Sequence, residues 1–210
     1  PFFWTLMSSL KPEAEIFTYP IQWLPSRIRW QNYVEVFRLV PFKQYYVNTI
    51  IITSFSVIGT LISCSLAAYG FARMEFIGKD VLFMLTLSVM MLPVHVTVIP
   101  LFIMFRRLGW IDTFYPLIVP HFFGTAYYIF LLRQFFATLP KSLEDAAIVD
   151  GCSRLRVFTS IFLPLSKPAL VTVMIFTFLA KWNEFFYPLL FLNSMDKFTL
   201  TLGLQGFQGE

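Results

Sequence analysis

The chain has 210 residues, of which 57% are hydrophobic, 19% aromatic and only 13% charged, with a formal net charge of +4. Soluble domains carry about 25% charged residues, so the composition excludes an ordinary water-soluble domain and places the chain among membrane proteins. The basic residues form no run or stripe able to track phosphates, which leaves nucleic-acid binding without support.

In chain order, the first ten residues, PFFWTLMSSL, open on Pro1 and read as the tail of an apolar span. Both this start and the polar end at Glu210 read as truncations. Pro12 to Lys43 is a long polar connection whose Trp23, Trp30 and Tyr33 suit a membrane interface. Three runs then lack Asp, Glu, Lys and Arg altogether: Tyr45–Ala72 (28 residues), Val81–Phe105 (25) and Thr113–Leu132 (20). A helix needs roughly 17–25 residues to span the hydrocarbon, and unpaired peptide groups cannot face lipid. Each run therefore predicts one helical crossing. A fourth, Pro168–Leu192, is interrupted by Lys181, Asn183 and Glu184. A mid-bilayer charge costs about 2.5–3.5 kcal/mol, but residues three apart share a helix face and can neutralise each other. The expectation is an all-α polytopic fold of four complete transmembrane helices plus part of a fifth.

Pro93, Pro100, Pro116, Pro120 and Pro188 should kink or break these helices. Small residues in the first run (Gly59, Ser63, Ser65, Ala67, Ala68, Gly70) predict close helix packing. Lys and Arg do not orient the chain: alternate loops hold seven on one side and eight on the other.

The long polar loop 133–167 contains PKSLEDAAIVDGCSRLRVFTSIFLPLSKP from residue 140 onward. Ser142 with Asp145 fits a capping box, and Gly151 is placed for a left-handed C-cap. Ser153 can cap a second helix with Leu155, Phe158 and Phe162 on one face. Pro164 disfavours a helical conformation at Leu163 and so favours termination nearby. Local chemistry alone also allows an interfacial amphipathic loop.

This segment resembles the signature loop of binding-protein-dependent ABC permeases, E-A-A-x3-G-x9-I-x-L-P. Asp145, Ala146, Ala147, Gly151, Ile161, Leu163 and Pro164 stand at its constrained positions, with Asp145 in place of glutamate and Glu144 beside it. Lys181-Trp182-Asn183-Glu184-Phe185 with Pro188-Leu189 resembles a segment of sugar permeases of the maltose type, and Thr199–Gln205 resembles the external segment after it. The N-terminal Trp4 to Phe17 resembles the end of the family's first span and its outer loop. The resemblance implies a type I ABC importer permease in the bacterial cytoplasmic membrane, forming one permease domain over residues 1–210. It implies that loop 133–167 is cytoplasmic and docks on a separate ATPase dimer that binds ATP and Mg. The implied partners are a second permease subunit, an extracytoplasmic solute-binding protein, a sugar substrate and membrane lipid.

Asn183 and Glu184 are candidates for the substrate path, since polar groups within spans mark pathways; His95 joins them because a helix broken between Pro93 and Pro100 could expose it to a central cavity, and Trp182 and Tyr187 because aromatic faces stack on sugar rings. The plainer reading is a structural Lys181–Glu184 pair, Asn183 bonded to a neighbouring helix, and His95 satisfying a carbonyl. His121 reads as structural, and Asn48 could cap or bridge helices. Two distant histidines and the unpaired Cys64 and Cys152 make no metal ligand set or disulfide. No phosphate-binding loop is present, since Gly78-Lys79 is followed by Asp80. No cofactor is expected in this chain. Glycerol-3-phosphate or polyamine import, an ion-coupled secondary transporter and a membrane-embedded enzyme remain as alternatives.

Overall fold

The computed structural model describes residues 1–205, and for Leu39, Val94 and His95 the backbone alone. All regular structure among these residues is helical: α1 (Phe2–Ser9), α2 (Gln31–Leu39), α3 (Phe42–Arg73), α4 (Lys79–Ser88), α5 (Val94–Arg107), α6 (Tyr115–Ile118), α7 (Ala126–Thr138), α8 (Lys141–Val149), α9 (Arg154–Val157), α10 (Leu163–Leu165), α11 (Lys167–Trp182), α12 (Phe186–Phe191) and α13 (Leu200–Gln205).

The post of the fold is α3. Its 32 residues reach about 48 Å at ~1.5 Å per residue, beyond the ~30 Å of hydrocarbon. It begins after Pro41 and ends where Met74 turns extended. One face carries Asn48, Thr49, Thr53, Ser56 and Thr60, each at most 1% exposed. Their spacing of three to four residues stacks them along one line of the helix. Against α3 lie the stretch Tyr115–Thr138 and helix α11.

The other crossings are broken. Residues Lys79–Met91 and Val96–Arg107 meet at 103°, so Val81–Phe105 is not one straight rod. Pro93 supplies the reason: the residue before a proline is pushed from helix to extended backbone, and Leu92 has ψ 122°. Pro100 is accommodated inside α5. In Tyr115–Thr138 a tight 3-10 stretch, Val119–Phe123, is followed by Gly124 at φ +88° before α7 starts. The fourth run also differs from the expected continuous span, because α11 ends at Trp182 and α12 starts at Phe186. Two stretches, Phe42–Arg73 and Tyr115–Thr138, are long and apolar enough to cross unaided, and each bent pair can supply one more span, giving up to four.

The hydroxyls of α3 partner the backbone that these breaks leave free. Ser56 Oγ donates to the Leu117 carbonyl at 3.1 Å, and Ser63 Oγ to that of His121 at 2.9 Å. Thr60 Oγ1 lies 3.3 Å from His121 Nδ1. The Thr125 N–H donates to Cys64 Sγ at 3.2 Å, and the Leu200 N–H to Thr49 Oγ1 at 2.8 Å. Asn48 does bridge, donating to the Asp196 and Phe198 carbonyls at 2.8 and 3.0 Å. Close packing accompanies the bonding, since a Cβ at Gly59 would sit 2.6 Å from the Phe122 ring.

Two buried clusters result. One, at the hairpin end, joins Cys64, Ala68 and Tyr69 of α3 to Leu132 and Phe136 of α7, Val157, Phe158 and Phe162 of the second hairpin helix, and Val173 of α11. The other, at the far end, joins Ile52, Phe105, Leu117, Phe191, Leu192 and Leu202. Ser56→Ala should lower unfolding stability in detergent by about 0.6–1.7 kcal/mol, the range for hydrogen bonds between membrane helices. Ser54→Ala, on the exposed face, should be neutral, and equal effects would contradict the partnering role of the stripe.

Candidate functional site: a docking hairpin and a polar seam

The hairpin starts two residues earlier than the capping box predicts. Pro140 occupies the N-cap with no side-chain cap bond, so Ser142 already lies inside α8. The other end follows expectation. Gly151 has φ +81°, a left-handed conformation that costs glycine nothing. The Asp150, Gly151 and Cys152 N–H groups return to the Ala146, Ile148 and Ala147 carbonyls at 3.0, 3.0 and 2.9 Å. No atom lies within 4 Å of a Cβ built at Gly151, so the turn is open to a partner's approach. Ser153 caps the second helix, its Oγ accepting the Arg156 N–H at 3.3 Å.

Pro164 does not stop that helix. Leu163 stays helical at φ −60°, ψ −47°, preceded by a π-helical turn over Phe158–Phe162. The wider turn loosens the ladder just where the proline lacks an N–H. The break comes at Ser166, where the chain bends by 77° into α11. Leu155 also departs from expectation. It is 64% exposed, while Val157, Phe158 and Phe162 are at most 5% exposed and form the buried face.

The signature residues divide into two sets. Glu144 is buried and pairs with Arg154 across the hairpin at 3.8 Å. Ala147 is buried, and Ile161 and Leu163 pack on the same core. These residues hold the hairpin together and to the bundle. Asp145, Ala146, Gly151 and Pro164 are exposed, beside Val149 at 86% and Leu155 at 64%. They form an outward surface of one carboxylate, open backbone and apolar side chains.

An aromatic junction fixes the hairpin to the spans. Tyr69 lies 5.1 Å from the Phe158 ring and 5.0 Å from that of Phe162, and Phe136 meets Phe162 edge-on at 5.9 Å. The Arg73 guanidinium lies 4.9 Å above Phe162 and donates to the carbonyls of Phe136, at 2.7 Å, and Leu139. The hairpin is thereby packed directly against α3 and α7. Neither Tyr69 nor Arg73 stands in the signature segment, so local motif reading could not find them.

At the break between α11 and α12, Lys181 Nζ pairs with Glu184 Oε2 at 3.5 Å, as the charge spacing predicts. Asn183, by contrast, bonds its own helix, donating to the Leu179 carbonyl at 2.8 Å, and its side chain is exposed. An α-helix ending there leaves late carbonyls unpaired, and Asn183 takes one. Trp182 packs on Phe178 and Tyr46. Tyr187 stacks on Phe191 and has Lys181 Nζ 5.8 Å from its ring centre. The His95 side chain lies outside the described residues.

His121, read as structural, shares a cavity of about 190 Å³ with Lys181, Tyr187, Phe105, Pro120 and Phe191. A smaller polar seam beside it is lined by Thr49, Thr53, Lys181, Glu184 and Thr199. Irregular backbone at membrane depth is tolerated where it is buried in protein or lines a hydrated cavity, and both cavities lie against such breaks. Among the described residues no three His, Cys, Asp or Glu side chains are grouped to hold a metal.

Residues 59–209 match the family model described as the binding-protein-dependent transport system inner membrane component. The chain is 35% identical to the trehalose/maltose transport system permease protein of Thermococcus litoralis, over 100% of this chain and 76% of that one. It is likewise 35% identical to the arabinooligosaccharides transport system permease protein of Bacillus subtilis, over 97% of this chain and 73% of that one. A crystal structure of a bacterial ABC transporter involved in the import of the acidic polysaccharide alginate superposes with a TM-score of 0.89 at 28% identity, covering 98% of this chain and 72% of that chain. An apolar helical bundle carrying an exposed, glycine-turned hairpin thus belongs to a known class: the chain is a multi-pass member of the binding-protein-dependent transport system inner membrane component family.

Proposed function

We propose that this chain is the permease subunit of an ATP-driven importer for a sugar or oligosaccharide, and that the Gly151 hairpin is its ATPase-coupling element. The observation that carries the reading is the hairpin itself. It is held internally by the backbone bonds of its glycine turn and the Ser153 cap, fastened to two spans through Tyr69, Phe136 and Arg73, and bare on its outer face at Asp145, Val149 and Leu155. A lever needs these three properties together. The relatives named for trehalose/maltose, arabinooligosaccharides and alginate support the substrate class.

On this reading loop 133–167 faces the cytoplasm, where an ATPase dimer holding ATP and Mg grips it. Closure of that dimer drives alternating access in the spans, working with a second permease subunit and an external solute-binding protein. Tyr187, Lys181 and His121 lie on the substrate path, because their cavity sits between broken helices, and Glu184 joins it from the seam alongside. Trp182, packed between two aromatic neighbours, shapes that path from behind.

Uptake of labelled sugars by the reconstituted importer, with and without ATP, tests the assignment. ATP-dependent uptake of at least one oligosaccharide is expected; uptake driven by an ion gradient alone would contradict it. In the same assay Gly151→Val should leave insertion intact and cut uptake about tenfold, since left-handed backbone costs a side-chain-bearing residue about 1–2 kcal/mol. Undiminished transport would remove the glycine turn from the mechanism. Asp145→Lys should reduce co-purification of the ATPase subunit, and full recovery of the complex would show that this carboxylate makes no contact there.

A further inference from the structure

The far end of the bundle is closed by the segment between α12 and α13. Its anchor is Asp112, in the turn between α5 and α6, which adopts φ +60°, unusual for a residue bearing a side chain. Its Oδ1 accepts the N–H groups of Asn193 and Ser194, both at 2.9 Å. Its Oδ2 accepts the Ser194 hydroxyl at 2.5 Å and the Lys197 ammonium at 2.8 Å. Lys197 also donates to the Asp112 carbonyl at 2.7 Å, and the Asp112 N–H to that of Phe191 at 2.7 Å. Backbone held away from its preferred conformation survives only where its surroundings over-determine it, and here one side chain collects four donors.

Beyond this clamp the segment runs over the polar seam. Asn48 holds the Asp196 and Phe198 carbonyls, Thr49 accepts the Leu200 N–H, and Thr201 Oγ1 donates to the Glu184 carbonyl at 2.7 Å. Thr199, 4% exposed, lines the seam together with Lys181, Glu184 and Thr53. The Thr53 hydroxyl, 1% exposed, has no hydrogen-bond partner. A buried hydroxyl without a partner is costly, and admission of water to the seam would relieve it.

We infer that residues 193–201 are a strap, keyed by Asp112, that closes the far mouth of the Lys181–Glu184 seam and must lift from Asp112 during each transport cycle. The strap deepens the importer reading and rests on it. The fastening at Asp112 is electrostatic and directional, whereas further along the strap Phe198 packs on Tyr45 and the far-end cluster. The Asp112 fastening does not respond to acid near neutrality. The Lys197 and Ser194 bonds hold the Asp112 carboxyl far below the ordinary carboxylate range. Their contribution is therefore complete above about pH 4, the ordinary aspartate value, and is lost only as pH falls through the depressed one.

Two measurements on the full importer in right-side-out vesicles test the strap. In a Cys152→Ser background, Asp112→Cys with Ser194→Cys should form a disulfide under oxidant. Uptake should fall at least about tenfold and return on adding reductant; full transport by the cross-linked protein would overturn the proposal. Independently of transport, Thr53→Cys should react slowly with a small membrane-impermeant thiol reagent, and at least about tenfold faster when Asp112→Asn is added. Equal rates with and without Asp112→Asn would refute the strap as a closure. The labelling arm needs no uptake, so it can fail or succeed separately from the importer assignment.

Discussion

A peptide group left unpaired in hydrocarbon costs several kilocalories per mole, and this chain breaks its helices repeatedly at membrane depth. The structure depends on how those breaks are partnered. An unbroken helix, α3, carries a line of short hydroxyl side chains toward them, and Ser56, Ser63, Cys64 and Thr49 take up groups from residues 117, 121, 125 and 200. Short side chains matter twice over. They let the irregular segments approach, as the contact between Gly59 and Phe122 requires, and they end in a bonding group just where the approach is closest.

With the post satisfied in this way, the two ends of the bundle acquire different characters. The hairpin end is sealed by rings and a guanidinium, with Phe136, Phe162 and Val157 at most 1% exposed. Such a core resists deformation because buried side chains are close-packed, which is what the proposed coupling role of the hairpin requires. The far end has an apolar cluster of its own, but the segment that crosses it is keyed to one carboxylate through a lysine and a few backbone bonds. The proposed coupling at one end and the proposed strap at the other together supply what alternating access asks of a permease.

Much of this was legible in the sequence. The long charge-free runs marked α3 and the other crossings, Gly151 and Ser153 marked the turn and cap of the hairpin, and the three-residue spacing marked the Lys181–Glu184 pair. The departures share a physical cause. Proline position reports that a helix is disturbed, but not whether it stops, bends or widens. Pro93 produces a sharp bend, Pro100 almost nothing, and Pro164 sits after a π-helical turn with the break deferred to Ser166. Ser142 looked like a cap because the pattern was right, yet the preceding proline set the helix start. The threonine and serine line of α3 was readable as a 3.6-residue period within an apolar run, a signal hidden by treating its small residues only as packing. Asp112 and Tyr69 gave no local signal, since their partners lie 82 and 89 positions further along the chain.

The proposed coupling requires the hairpin surface around Gly151 to face the cytoplasm and to be covered there by an ATPase subunit. Val149 is 86% exposed on that surface, so a cysteine in its place reports both points in one experiment. Labelling with a membrane-impermeant maleimide should occur in inside-out vesicles stripped of the ATPase and should be blocked when the subunit is added back. Labelling from the outside of intact cells, or unchanged labelling with the ATPase present, would contradict the account.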